Sequence, residues 1–104
     1  MNPSLGGETL HQNGEEEVAS FLIEKANRLG ITAQRQAVLP GRKNVIFRLR
    51  PKGFVKQKVL LAPHLDVVPG ERKLFSPKTR NGKIYGRGAC DTKGSMAAFF
   101  TAFC

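Results

Sequence analysis

Tryptophan is absent, tyrosine occurs once at Tyr85, and only two cysteines and two histidines are found in 104 residues. Each scarcity excludes something. Cys90 and Cys104 match neither a zinc-knuckle spacing nor a disulfide framework, so they read as two free thiols in a reducing compartment. No apolar run approaches the roughly 18–20 residues that a membrane-spanning helix needs. Residues 1–9 lack both a basic n-region and an apolar h-region, so no secretory signal is read there. The expectation is a cytoplasmic protein with no membrane partner. Acidic residues are also few, eight against seventeen lysines and arginines, which gives a net charge of +9. The basic residues are scattered singly or in pairs without interleaved aromatics, so a solvated basic surface is expected rather than a nucleic-acid partner. Such a surface also attracts carboxylate-bearing substrates.

What is present has the size and composition of one small soluble domain, 40% apolar and 24% charged. The charge is unevenly placed. Residues 1–30 carry five acids and two basic residues, and residues 31–104 carry three acids and fifteen basic residues. Residues 1–13 read as a flexible lead-in, and Asn13 is a plausible N-cap for a helix with Glu15, Glu16 and Glu17 in its first turn. Val18, Phe21, Leu22, Ala26 and Leu29 recur at helical spacing, Glu24 and Arg28 form an i,i+4 pair, and Gly30 supplies the stop. Residues 31–39 and 44–50 then predict a hairpin around the turn Pro40-Gly41-Arg42-Lys43. Residues 58–63, apolar on both faces, predict an interior strand. Residues 70–82 are expected to be a loop and 83–85 a short strand. A helix is expected from Thr92 or Lys93 onward, and because its apolar pattern has no stop signal before Cys104, the chain is expected to be truncated.

Two polar signatures sit beside these apolar runs: H-L-D at 64–66 and G-R-G-A-C-D-T-K-G at 86–94. On an extended backbone His64 and Asp66 share a side, so Asp66 can fix one ring nitrogen of a ligating His64. Alone, H-x-D is a common chance pattern, and a histidine at a strand end is often only a satisfied polar residue. Asp91 follows small residues that allow close backbone approach. One carboxylate can bridge two cations roughly 3.5–4 Å apart, but an aspartate before a helix is also a good N-cap. Neither a dinucleotide-binding loop nor a P-loop fits: the position three residues after Gly88 is Asp91, and Lys93-Gly94-Ser95 has the wrong order.

Read jointly, L-L-A-P-H-L-D-V-V-P and N-G-K-I-Y-G-R-G-A-C-D-T-K-G-S-M-A-A resemble the dinuclear zinc metallopeptidases of the acetylornithine deacetylase, succinyl-diaminopimelate desuccinylase, aminoacylase and carboxypeptidase G family. Upstream, the acidic helix and P-G-R-x-N-V follow in the family's order, so the resemblance runs from about Glu15 onward. It implies an α/β fold: residues 14–104 as the N-terminal part of a zinc-peptidase catalytic domain, a truncated mixed β-sheet flanked by helices. It implies that His64 ligates one zinc, that Asp91 bridges two, that Asp66 is the active-site carboxylate orienting His64, and that the Asp91-Thr92 peptide bond is cis. The cofactors implied are two Zn2+, with Co2+ as a substitute, and the partners are a small N-acyl amino acid or peptide substrate and a second copy in a homodimer.

The family reaction is hydrolysis of an amide next to a carboxylate-bearing group. The metal pair acidifies a water and polarises the amide carbonyl, and a glutamate serves as general base. That base, the remaining ligands and the lid domain are expected beyond Cys104, because His11 matches no family position. The chain alone is therefore expected to be inactive. The competing reading, from another class, is a non-catalytic basic binding module or a pseudogene remnant.

Overall fold

A computed structural model describes residues 14–104. The lead-in, with Asn13 and His11, lies outside the described residues. Helix α1 runs Gly14–Arg28, with Glu15, Glu16 and Glu17 at the positive end of its dipole and Lys25 and Arg28 in the last turn. Arg28 pairs with Glu24 one turn back. The apolar face is narrower than the spacing alone predicts. Ala19, Leu22 and Ala26 are buried, while Phe21 and Leu29 stay more than half exposed.

Strands β1 (Ala33–Leu39) and β2 (Arg42–Phe47) form the expected antiparallel hairpin, with Ala33 opposite Phe47 and an irregularity between Ala37 and Leu39. The acidic start of α1 is tied to this hairpin by ion pairs from Arg42 to Glu15 and from Arg35 to Glu16, and Arg35 also donates to Ser20 Oγ at 3.0 Å. The uneven charge of the sequence thus becomes a contact between one acidic and one basic element. Partly exposed pairs of this kind contribute about 0–1 kcal/mol each, so they orient the helix more than they stabilise it.

The interior strand expected at 58–63 does not form a ladder. Val59 is 83% and Leu60 87% exposed. An interior strand needs neighbours on both edges. Each strand among the described residues bonds only to its own hairpin partner. The result is two separate two-stranded antiparallel sheets with helices, still α/β, in place of one mixed sheet.

The second sheet joins β3 (Lys78–Arg80) to β4 (Lys83–Tyr85). Their two-residue link is Asn81-Gly82, with φ of 50° and 70°. Positive φ at both central positions gives the turn whose twist matches that of the flanking strands. The stretch 70–82, expected to be a loop, therefore contains a short helical turn at Arg72–Phe75 and the strand β3.

Helix α2 (Ser95–Phe103) starts later than expected because Asp91 (φ −112°, ψ 98°) and Thr92 (φ −122°, ψ 18°) are not helical. Phe47 at the end of β2 packs edge-on against Phe100 and Phe103, with ring centroids 5.6 and 6.4 Å apart. The buried apolar residues among those described are only Ala19, Leu22, Ala26, Ile31 and Val67. The radius of gyration of 15.4 Å exceeds the roughly 13 Å of a compact chain of this length.

With so small a core, its largest member matters most. Leu22→Ala is expected to cost about 2–3 kcal/mol and Phe21→Ala less than about 1 kcal/mol, measured by urea unfolding followed at 222 nm. Equal losses for the two would show that the α1 face is packed differently.

Candidate metal centre

His64 and Asp91, in the two polar signatures, are 27 residues apart in sequence, and the structure brings them into contact. The contact begins at Gly88. Its φ of +80° suits glycine, and a Cβ built there would lie 2.5 Å from Val67 Cγ1. Val67, one residue after Asp66, is 95% buried by this approach. The second loop is closed by backbone bonds from Ala89 N to Gly86 O at 3.1 Å and from Lys93 N to Gly88 O at 3.0 Å.

On this platform the histidine and the two carboxylates converge. His64 Nδ1 lies 2.9 Å from Asp66 Oδ1 and 3.1 Å from the Asp66 carbonyl oxygen. His64 Nε2 lies 3.1 Å from Asp91 Oδ1. An N–H at Nδ1 donating to Asp66 leaves Nε2 as the ring atom directed at Asp91. The N-cap alternative for Asp91 is not what the structure shows. Gly94 occupies the cap of α2, no side chain caps it, and the Asp91 carboxylate is turned to His64 instead. The peptide bond between Asp91 and Thr92 is cis.

Two further side chains belong to this arrangement and were missed in the sequence. Thr92 Oγ1 donates to the His64 carbonyl at 3.0 Å, and Lys93 Nζ donates to the Leu65 carbonyl at 2.8 Å. The available signal was two hydrogen-bonding side chains directly after Asp91, where only the start of a helix was read. Partial burial lowers Lys93 from the ordinary lysine range, and the Asp66 carboxylate opposes that shift.

The hydrogen bond to Asp91, reinforced by Asp66, raises His64 above the ordinary imidazole value of 6.5. Because the folded-state value is the higher one, the stabilisation from this contact is complete below about 6.5 and is lost as pH rises through the raised value. Below that raised value the imidazolium carries an N–H at Nε2 that can donate to Asp91.

The donor chemistry suits a divalent ion in part. An imidazole nitrogen and a carboxylate oxygen that converge from separate loops, with the other ring nitrogen fixed by a second carboxylate, match one half of a nitrogen-and-oxygen zinc shell. The Asp91 side chain is 79% exposed, which leaves room for a second ion. Among the described residues no group of three or more donors that could hold a metal is found. The fit is therefore to part of a centre, with His64 and Asp91 as its donors.

A model of the peptidase family M20/M25/M40 matches residues 60–104, the stretch holding both signatures. A succinyl-diaminopimelate desuccinylase from Nitrosospira multiformis is 37% identical over 100 residues, covering 90% of this chain and 25% of the relative. This chain belongs to the M20/M25/M40 peptidase family. A Pyrococcus furiosus relative, whose name describes a LysW-lysine/LysW-ornithine hydrolase, is 41% identical over 88 residues, covering 85% of this chain and 24% of that protein. A succinyl-diaminopimelate desuccinylase from a Wolbachia of Brugia malayi is 50% identical over 52 residues, covering 44% of this chain and 13% of the relative. The M20 chain thus spans about a quarter of the length of the first two relatives. No solved structure matches it. Among the described residues, no helix is long and apolar enough to cross a membrane.

Two outcomes follow from this geometry. The His64 imidazole, titrated by NMR without metal, is expected to have a pKa above 6.5, and Asp91→Asn is expected to move it down; a value unchanged by the substitution would remove the contact. Gly88→Ala, which meets both a positive φ and Val67, is expected to lose more than about 1 kcal/mol. Adding Val67→Ala should restore only the steric part, as read by denaturant unfolding.

Proposed function

We propose that this chain is the N-terminal portion of the catalytic domain of a metal-dependent amidohydrolase acting on N-acyl amino acids or small peptides. His64 ligates one zinc, Asp91 bridges two, and Asp66 orients His64. The observation that carries this reading is the 3.1 Å approach of His64 Nε2 to Asp91 Oδ1 while Asp66 holds Nδ1. Support also comes from relatives named for hydrolysis of succinyl-diaminopimelate and of LysW-lysine or LysW-ornithine.

When bound, the cation pair supplies Lewis acidity toward the amide carbonyl and an activated water. The chain's own residues prepare for this. Asp66 accepts the Nδ1 proton and so keeps Nε2 as the donor atom, and Asp91 offers a carboxylate from the opposite loop. The basic surface of residues 31–104 draws in a carboxylate-bearing substrate. Two donors do not complete a tetrahedral site. The other ligands, the general-base glutamate, the lid through which the homodimer forms, and the strands that complete a mixed sheet beside residues 58–63 all lie past Cys104. The protein works in the cytoplasm.

The decisive observation is the coding sequence past Cys104. An open frame with a Glu-Glu pair and a later histidine is expected, and a genuine stop codon there would favour a remnant. Purified with Zn2+ or Co2+, the 104-residue chain is expected to leave N-acetylornithine and N-succinyl-diaminopimelate intact, and turnover would overturn the assignment of ligands to a later segment. In the longer protein, Asp66→Ala is expected to lower metal affinity or activity about 10–100-fold, and His64→Ala or Asp91→Ala to abolish activity. Salt-dependent oligonucleotide binding that survives both ligand substitutions would instead support a basic binding module.

A further inference from the structure

We infer that Thr92 and Lys93 are positioning residues that set the separation of the two candidate ligands by gripping the backbone that carries His64. The inference rests on the metal-centre reading above. Its starting point is a mechanical question. His64 and Asp66 lie in a stretch, 54–70, that forms neither helix nor ladder. Asp91 lies in a loop whose dihedrals break the helical path. Regular secondary structure therefore fixes neither candidate ligand, although each hydrogen-bonded pair is separated by 28 positions in sequence.

The hydrogen bonds supply what the secondary structure does not. The Thr92 hydroxyl donates to the His64 carbonyl at 3.0 Å, and the Lys93 ammonium donates to the Leu65 carbonyl at 2.8 Å. Two consecutive donors, directly after one ligand, hold two consecutive carbonyls, the first belonging to the other ligand itself. His64 is thus joined to the Asp91 loop twice, through its ring at Nε2 and through its own carbonyl. A ring held at both ends keeps its nitrogen at a set distance from Asp91 even though the surrounding chain is irregular.

Lys93 reaches Leu65 because its stem passes over Gly88. Its Cδ and Cε lie 3.5 and 3.6 Å from where a Cβ on Gly88 would be. The thread of contacts is Val67 on Gly88, the Lys93 stem beside it, and its ammonium on the Leu65 carbonyl. A charged donor on a carbonyl is stronger than a neutral one. The Thr92 carbonyl in turn accepts from Ser95 Oγ at 2.9 Å, which ties the grip to the first residue of α2.

The test uses the 104-residue chain and four versions of it: Thr92→Val, Thr92→Ser, Lys93→Met and Lys93→Arg. The first readout needs no metal. Carbonyl 13C shifts of His64 and Leu65 report each bond separately, and an NOE between the His64 ring and the Asp91 β-protons reports the ligand separation. Thr92→Val is expected to move the His64 carbonyl shift and weaken the NOE, and Thr92→Ser, which keeps the hydroxyl, to restore both. Lys93→Met is expected to move the Leu65 carbonyl shift, with at least partial recovery in Lys93→Arg. The second readout is Co2+ affinity from visible absorption, expected to fall about 10–100-fold in Thr92→Val and Lys93→Met and to recover in Thr92→Ser. Ring contacts between Phe47 and Phe100 serve as the folding control; should Thr92→Val lose them, Thr92→Ser and Lys93→Met decide. Wild-type carbonyl shifts and NOE in both Thr92→Val and Lys93→Met would overturn the positioning role. If the unsubstituted chain fails to bind Co2+ while the shifts and NOE respond as expected, the grip stands, and Co2+ affinity of the longer protein with His64→Ala decides the metal reading separately.

Discussion

The absence of a side chain at Gly88 is the constraint on which the site depends. Val67 fills the space that a Cβ would occupy, and this one steric fit brings the loop of 64–67 against the loop of 86–93. Everything chemical follows from that approach. His64 meets Asp91, Thr92 meets the His64 carbonyl, and Lys93 reaches Leu65 across the same glycine. A packing event of a few atoms thus places a nitrogen and an oxygen donor on facing loops. Val67 is one of the few buried apolar residues among those described, so this fit is part of the small core as well as of the site.

Charge organises the molecule on two scales. Across the fold, an acidic helix start lies against a basic hairpin, and Glu15 and Glu16 find Arg42 and Arg35. Within the site, an imidazole sits between two carboxylates. The first arrangement orients elements at little net gain. The second gathers three titratable side chains at one partly exposed point of the surface.

Much of this was legible in the residues, and the failures have physical causes. Helix α1 was readable because its apolar spacing, its acidic first turn and Gly30 all agreed. His64, Asp66 and Asp91 were individually weak signals. Their order and wording gave the family, and the structure places the three side chains together. The β3–β4 hairpin was legible but overlooked: Asn81-Gly82 is a strong local turn signal, and the polar character of 70–82 obscured it. The strand expected at 58–63 could not be judged from its own residues. A ladder is a property of neighbours, and local apolarity says only that a stretch would suit one. Thr92 and Lys93 escaped for a related reason, since their partners are backbone carbonyls, which carry no signature in a sequence.

That unpaired stretch has a consequence for the chemistry next to it. Residues 59–61 lie immediately before Ala62, Pro63 and His64, and their side chains face water. The histidine itself is held by Asp66 and by the second loop. The run that leads into it has no ladder partner among the described residues, so a neighbour that pairs with it must first order it. Ordering even a few residues opposes binding by about 1–2 kcal/mol each. Whatever pairs with residues 59–61 thus settles the chain that carries His64 without touching the histidine or its two carboxylates.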